Sequence, residues 1–218
     1  MERAKKNAGF TLVELIIVLA IMSFLLALSA PMVEAARSDI SMNRTLRYVK
    51  TDMITGMGYA LAGKSIAALT SDKLMDTKQI PESYALYFQT SPDDFAGPEY
   101  QYLELVPDGD TGRVRLNYQI NKEWPSPAVA LRDIRLIGDA GGPGESVKQA
   151  LIFFTSPFGR INIISDPGAL LTGGTLDLTE AFSAQSHIKK IELDFQFRDD
   201  EIGRSTLSLS TDKTINIL

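Results

Sequence analysis

Glu14 is the residue of this sequence whose position most strongly implies a chemical role. It is the one charged residue between Phe10 and Val33, and a carboxylate in an apolar stretch is costly unless a cation lies close by. If the chain were cut after Gly9, Phe10 would carry a free amino group, and Glu14 could pair with that amine on a neighbouring copy. Alternatively, because Glu14 lies about one helical turn from the end of the apolar stretch, its carboxylate could reach the polar interface by itself. Glu14 considered in isolation leaves both interpretations open.

The residues around Glu14 predict a helix that crosses a membrane. Residues 10–33 are almost wholly apolar and, as a helix, are long enough to cross a hydrocarbon core of about 30 Å. Residues 1–9 are short and basic, which predicts that they stay in the cytoplasm while the rest of the chain is exported. A conventional secretory signal has its small-residue cleavage site after the apolar stretch, whereas here Gly9 precedes it.

The composition excludes several classes of functional site. The chain has no cysteine, so a disulfide framework, a cysteine-based zinc site and a cysteine nucleophile are impossible. The single histidine, His187, excludes a histidine-rich metal site, and the net charge of −5 disfavours broad nucleic-acid binding. The sequence contains no G-x-S-x-G, no H-E-x-x-H and no phosphate-binding glycine loop. We therefore expect a protein that is not an enzyme and that uses no metal or other cofactor.

The run from Gly9 to Glu14, GFTLVE, follows a short basic leader and precedes an aliphatic stretch. In this context it resembles the class III signal of type IV pilins and type II secretion pseudopilins. The resemblance is specific over residues 5–33 and weak afterwards. It implies that a prepilin peptidase cuts after Gly9 and N-methylates Phe10. It also implies that Glu14, at the fifth position of the mature chain, acts in assembly.

The same resemblance implies a structural role. The chain would be a minor pilin or pseudopilin of a type IV pilus or of a type II secretion pseudopilus. Its partners would be other pilin or pseudopilin subunits, the prepilin peptidase, an inner-membrane assembly platform and, before assembly, membrane lipid. It would cross the bacterial inner membrane once, with a cytoplasmic N-terminus and a periplasmic head, until it enters the filament. The alternative is a membrane-anchored exported binding protein or enzyme with a conventional N-terminal anchor.

A second helical segment is predicted directly after the apolar stretch. Pro31 lacks an amide donor and clashes with the preceding turn, so it predicts a helix kink, and many members of the family carry a helix-bending proline here. Residues 34–63 predict an amphipathic half of the same helix, which ends near Gly63. We expect its apolar stripe to pack on the protein's own head domain, with packing on a separate helix as the alternative. The stripe consists of Met42, Leu46, Val49, Met53, Met57 and Ala60.

Residues 64–218 predict an exported β-rich head domain. Short alternating or aromatic runs, separated by turns rich in glycine and proline, indicate antiparallel strands. The predicted fold class is therefore α+β: a long N-terminal helix, membrane-spanning in its first half, packed on an antiparallel β-sheet head as in pilins. Residues 107–112 and 156–159 predict hairpin turns, while residues 64–80 are ambiguous between a short helix and a loop. The expected strands are 84–89, 100–106, 113–120, 129–137, 149–155, 160–165, 175–179, 188–198, 204–210 and 214–218.

Part of the head resembles particular subfamilies. Residues 151–160, followed by residues 174–178, are similar to the heads of H-type minor pseudopilins and T-type minor pilins. Those heads often end in a strand pair joined by a Gly-Arg turn, whereas Asp212-Lys213 occupies the turn here.

Two groups of charged side chains in the head could bind ligands. Four aspartates near predicted turns could supply oxygen atoms to calcium, but two Asp pairs do not make an EF-hand loop, and turn chemistry explains all four. They are Asp93, Asp94, Asp108 and Asp110. His187, Lys189 and Lys190 form a small basic patch, but Glu192 and Asp194 interrupt it. We therefore assign neither a metal site nor a nucleic-acid site.

Overall fold

The fold is known from a computed structural model that describes most of the chain. The described residues are 11–63, 83–90, 100–109, 113–139, 142, 144–157, 159–165, 167–171, 174–197 and 200–218. The chain divides into two compact units, Met1–Ile40 and Ser41–Leu218. A long N-terminal helix and antiparallel β-sheets confirm the predicted α+β, pilin-like layout. The ambiguous segment 64–80 lies outside the described residues.

Helix α1 covers Leu12–Ala62, 51 residues. It continues without interruption through Pro31, so the kink at that residue stays a prediction. The predicted stop at Gly63 is confirmed: this glycine has φ +59°, a left-handed conformation that commonly ends helices because glycine adopts it without a steric penalty.

In the second unit, one side of α1 enters the hydrophobic core. The side chains of Met42, Leu46, Val49, Met53 and Ala60 are buried there, and Met57 is partly buried against the same cluster. The expectation that this stripe packs on the chain's own head domain is confirmed.

The first sheet has six strands in the order β7-β6-β1-β2-β3-β8, and all neighbours are antiparallel. The predicted hairpins are confirmed, because β2 pairs with β3 and β6 pairs with β7. The strands are β1 (Ser83–Gln89), β2 (Tyr100–Pro107), β3 (Arg113–Lys122), β6 (Gln149–Thr155), β7 (Arg160–Ile164) and β8 (Thr175–Asp177).

The second sheet has five antiparallel strands in the order β11-β10-β9-β4-β5. Its last hairpin turns at Asp212-Lys213, where Lys213 has φ 73°. The strands are β4 (Val129–Gly138), β5 (Glu145–Val147), β9 (Ile188–Phe197), β10 (Asp200–Ser210) and β11 (Ile215–Ile217). Strand β5 was not predicted, and β10 begins at Asp200 rather than at residue 204 because a bulge between Asp200 and Arg204 extends its pairing with β9.

The prediction of one strand over residues 175–179 is wrong in its second half. Strand β8 ends at Asp177, and helix α3 covers Leu178–Ala184. The Asp177 carboxylate accepts hydrogen bonds from the amides of Thr179 and Glu180, each at 3.0 Å. These bonds satisfy amides that a helix leaves without partners in its first turn, and they start the helix. A shorter helix, α2, covers Gly168–Leu171.

Both faces of the first sheet are buried. Side chains of one face share a core with α1 and the second sheet, whereas those of the other face pack with Leu170 of α2 and Leu178 and Phe182 of α3. In β1, Tyr84, Leu86 and Phe88 belong to the first core, and the intervening residues belong to the second. A strand with two buried faces needs no polar positions, which explains the continuous apolar run of β1.

Candidate assembly surface

Glu14 lies in the first turn of α1 and is held by Thr11. The Thr11 amide and hydroxyl donate hydrogen bonds to Oε2 of Glu14 at 2.9 and 3.0 Å, and the Glu14 amide lies 3.3 Å from Oγ1 of Thr11. This reciprocal arrangement is a capping box, in which two amides at the start of the helix find partners. Among the described residues, no donor reaches Oε1 of Glu14, so this oxygen could accept a hydrogen bond from a cation.

The side chains that follow Glu14 form an apolar surface around the helix. Every large apolar residue from Leu12 to Val33 is exposed, between 48% at Val18 and 76% at Met32. Burying a large aliphatic or aromatic side chain gains about 1.5–3 kcal/mol. The summed penalty of leaving this surface in water would exceed the roughly 5–15 kcal/mol of net stability that a domain usually has. Lipid or other apolar helices must therefore cover it.

By length and composition, α1 is able to cross a membrane. The window that qualifies lies near the N-terminus, and none of its residues is buried inside the protein. This distinguishes it from the core helix of a soluble domain, whose apolar side chains pack against other elements.

The structure describes only some of the predicted site residues. Gly9 and Phe10 lie outside the described part of the chain, so the cleavage site and the pairing of Glu14 with a freed amine stay predictions. Pro31 lies within α1.

A polar contact that the sequence analysis did not predict links α1 to the first sheet. Asp52 of α1 accepts a hydrogen bond from the Tyr100 hydroxyl at 2.7 Å and lies 3.3 Å from Nζ of Lys122. Asp52 is only 9% exposed, so its charge depends on these partners. Asp52 directly precedes Met53 of the apolar stripe, in the one helix expected to enter the core. This position is the sequence signal that could have revealed the contact.

Aromatic rings extend this contact across the core. Tyr100 stacks between Phe88 and Trp124, at ring-centroid distances of 5.5 and 4.7 Å, and Trp124 meets Phe195 of the second sheet edge-on at 5.3 Å. Lys122 also lies 5.6 Å from the ring of Tyr48 on α1, a cation–π distance. The contacts fix the second half of α1 against the first sheet, and the ring stack connects that sheet to the second one.

Buried tyrosines lie beside this contact. Burial, followed by the charge of Glu104 and by Tyr59, raises the pKa of Tyr84 far above its usual value. Burial and then the nearby Asp52 carboxylate raise the pKa of Tyr102 in the same direction. Both hydroxyls are therefore neutral at physiological pH.

The described side chains of the two candidate ligand groups lie beside oppositely charged partners. Among the described residues, no three acidic, histidine or cysteine side chains come together to hold a metal ion. Asp108 lies 3.9 Å from Arg115, whereas Asp93, Asp94 and Asp110 lie outside the described residues. In the basic patch, Lys189 lies 3.5 Å from Asp139, and Lys190 lies 2.6 Å from Glu192.

Comparison with known proteins locates similarity at the N-terminus. The family model of the prokaryotic N-terminal methylation motif matches residues 4–30. No curated protein and no solved structure matches the chain significantly. The matched residues contain Gly9, Phe10 and Glu14. The chain therefore carries a type IV pilin-like prepilin signal, which supports a protein of the pilin or pseudopilin type that is processed, exported and anchored in a membrane.

Proposed function

We propose that the chain is a structural subunit, a minor pilin or pseudopilin, of a type IV pilus or a type II secretion pseudopilus. Prepilin peptidase cuts after Gly9 and methylates Phe10, and the mature subunit assembles through α1. The observation that carries this proposal is the coincidence of the methylation motif at residues 4–30 with a helix whose apolar side chains are exposed over the same region.

The exposed apolar surface of α1 is covered in one of two ways, before and after assembly. In the inner membrane, with residues 1–9 in the cytoplasm and the head in the periplasm, lipid covers the side chains of residues 10–33. On extraction by the assembly platform, the helices of neighbouring subunits replace the lipid. Both environments are apolar, so the exchange carries a small hydrophobic penalty, and specific contacts decide between them.

Glu14 supplies such a contact. The amine of a cut chain is a cation at the start of the apolar helix, and the Glu14 carboxylate of the adjacent subunit neutralises it. A charge pair inside an apolar bundle is far stronger than the same pair in water. The Thr11 bonds reach only Oε2, so Oε1 can accept from the amine while the helix cap persists.

The head contributes a self-contained unit. Its two sheets and the second half of α1 enclose a shared hydrophobic core. The chain has no cysteine, so no disulfide stabilises this core. A large head without a disulfide favours a minor subunit over the major one.

Mass spectrometry of the mature N-terminus, on protein isolated from native membranes, tests this function. We expect a chain that begins at Phe10 and carries one N-methyl group. A variant with Gly9→Leu, which removes the small residue before the cut, should keep residues 1–9 and serves as the control. An intact Met1 in the natural chain would refute the proposal, and a cut near Ala30 would favour an exported binding protein or enzyme.

A further inference from the structure

Among the described strands, four form sheet edges, and β7 is the longest of these. Strands β5, β8 and β11 have three residues each, whereas β7 has five. Very short strands, prolines and inward-facing charges are the usual devices that keep a foreign strand from pairing with a sheet edge. Strand β7 contains no proline, and its buried side chains are isoleucines. It is therefore the edge most open to a further strand.

The backbone amides of β7 alternate between β6 and the outer edge of the sheet. Ser165 follows β7 directly, and its amide donates to Oε1 of Gln185 at 2.8 Å, away from β6. The amides of Ile163 and Ile161, at steps of two residues, are directed to the same outer side. Gln185, which directly follows α3, thus takes the place of a strand partner at one end of this edge.

The pairing on the other side of β6 gives the same alternation. The Thr90 amide donates to the Lys148 carbonyl at 2.9 Å at the end of the β1–β6 pair, and bonded positions recur at every second residue. Carried through the register of β6 with β7, this places the amides and carbonyls of Ile161 and Ile163 on the outer edge. Among the described residues, no strand pairs with that edge.

A cavity of about 170 Å³ lies beside the outer edge of β7. Part of its lining is apolar, because Ile161, Ile163 and Ile188 belong to the hydrophobic core. The polar part of its lining includes Gln185, Ser186 and Thr211. An apolar cavity of about 150 Å³ can hold a benzene-sized group, so this cavity has room for one apolar side chain of a partner.

The charges at this edge are positive. Among the described residues that line the cavity, Lys189 alone is charged, and the exposed Arg160 begins β7. Lys189 lies 3.5 Å from Asp139, but both side chains are more than half exposed, and such surface pairs are weak. A carboxylate on a partner can therefore share Lys189. In a chain with a net charge of −5, this edge favours an acidic partner.

We propose that the outer edge of β7 and the cavity beside it, together called the β7 groove, bind an extended acidic segment of another protein by strand addition. The backbone of that segment pairs with the amides and carbonyls of Ile161 and Ile163. One of its apolar side chains enters the cavity, and its carboxylates lie near Lys189 and Arg160. Only an extended peptide presents backbone donors and acceptors at the repeat of a sheet edge. The inference does not depend on how α1 assembles.

Fluorescence anisotropy with a defined peptide tests the binding. The probe is a fluorescein-labelled peptide of about seven residues that alternates valine and glutamate, and the protein is the full-length chain in detergent micelles. We expect saturable binding of this probe. A peptide with lysine in place of glutamate should bind at least roughly tenfold more weakly, because it meets Lys189 and Arg160 with like charge.

Two protein variants locate the binding site. Ser186→Trp places a large ring at the cavity from an exposed position, so it should weaken binding of the probe roughly tenfold or more. Asn216→Trp, at an exposed position of β11, is the matched control and should bind like the natural chain. Thermal unfolding should be the same for all three proteins. Absence of probe binding, or equal binding by the two variants, would refute the proposal.

Backbone modification of the probe distinguishes strand addition from other binding to the cavity. In an extended peptide, the amides of the valines and those of the glutamates point to opposite edges. N-methylation of one set should therefore abolish binding, whereas N-methylation of the other set should be tolerated. Equal effects of the two modifications would exclude strand addition.

Hydrogen exchange followed by nuclear magnetic resonance identifies the paired edge. With the probe bound, exchange should slow at the amides of Ile161 and Ile163 and stay unchanged at Asn162, whose amide already faces β6. Unchanged exchange at Ile161 and Ile163 would overturn the proposal. Protection of these amides without the probe, increasing with protein concentration, would assign the edge to a second copy of the chain and would also overturn it.

Discussion

The Glu14 carboxylate caps the helix of one subunit and, in the proposed filament, binds the amine of the next. Glutamine can form the same capping box because its amide oxygen accepts the Thr11 bonds, but it carries no charge. We therefore expect Glu14→Gln to be cut and methylated normally while its incorporation into filaments is lost. Immunoblots of sheared filaments and of membranes measure the two steps separately.

Thr11→Val is the matched control for that experiment. It removes the hydroxyl that bonds Glu14 but keeps the charge, at an expected cost of about 1 kcal/mol in helix stability. Incorporation should therefore persist. If Glu14→Gln assembled as well as the natural chain, charge pairing would not drive assembly.

Gly56 offers a second test on a single residue. Its α-carbon faces Phe154 and Tyr102, so the methyl group of Gly56→Ala would overlap atoms at 2.8 Å. We expect a loss of about 1–3 kcal/mol in the free energy of unfolding. Urea titration in detergent, followed by the fluorescence of the single tryptophan, Trp124, measures it. Gly58→Ala, two residues along the helix, should instead be neutral or stabilising by up to about 1 kcal/mol.

The contact between α1 and the first sheet leads to a prediction about the free energy of unfolding. Asp52 is held by Tyr100 and Lys122, and a hydrogen bond to a charged group contributes about 1.5–3 kcal/mol. Tyr100→Phe should lower the free energy of unfolding by about that amount. Asp52→Asn should lower it too, because Lys122 then lacks its buried counter-charge.

A double-mutant cycle of these two substitutions isolates the contact. Combined in one chain, they should destabilise the head by less than the sum of the single effects, because Tyr100→Phe removes the same hydrogen bond that Asp52→Asn weakens by taking the charge from its acceptor. Strict additivity would mean that Asp52 and Tyr100 act independently. Near-ultraviolet circular dichroism of Trp124, stacked on Tyr100 at 4.7 Å, checks that packing survives.

Elements with a local signal were predictable from the sequence. The residues from Leu12 to Ala62 read as one helix because apolar residues recur at helical spacing and Gly63 supplies the stop. The hairpins β2–β3 and β6–β7 were predictable because each has glycine and proline between two apolar runs. Helix α3 was missed because Thr175–Thr179 alternates like a strand, although Asp177 and Glu180 have the spacing of a helix start.

Arrangements that depend on distant residues were not predictable. β1 lies between β2 and β6, and its register with β6 joins Ser83 to Thr155. Nothing in the sequence near either strand encodes that pairing. The split into two sheets, and the burial of Asp52 by Tyr100 and Lys122, follow from the same long-range packing. The prepilin signal, by contrast, occupies contiguous residues, so the processing site could be predicted from the sequence.

For the molecule as a whole, the buried tyrosines make the free energy of unfolding sensitive to high pH. Burial raises the pKa values of Tyr84, Tyr87 and Tyr102 in the folded state, while an unfolded tyrosine ionises near pH 10. Below that pH all three are neutral in both states, and the stabilisation is complete. Above it, the unfolded chain loses protons that the folded chain keeps, so stability falls as pH rises, by up to about 1.4 kcal/mol per pH unit for each tyrosine.

Urea unfolding measured by Trp124 fluorescence at a series of pH values between about 8 and 12 should show this decline. Tyr84→Phe removes one of the three titrating groups, so its stability curve should fall less steeply than that of the natural chain. Phenolate absorbance provides an independent reading, because the exposed tyrosines should ionise first and the buried ones only as the head unfolds. A stability that stayed level to about pH 12 would mean that the buried hydroxyls ionise as readily in the folded head as in the unfolded chain.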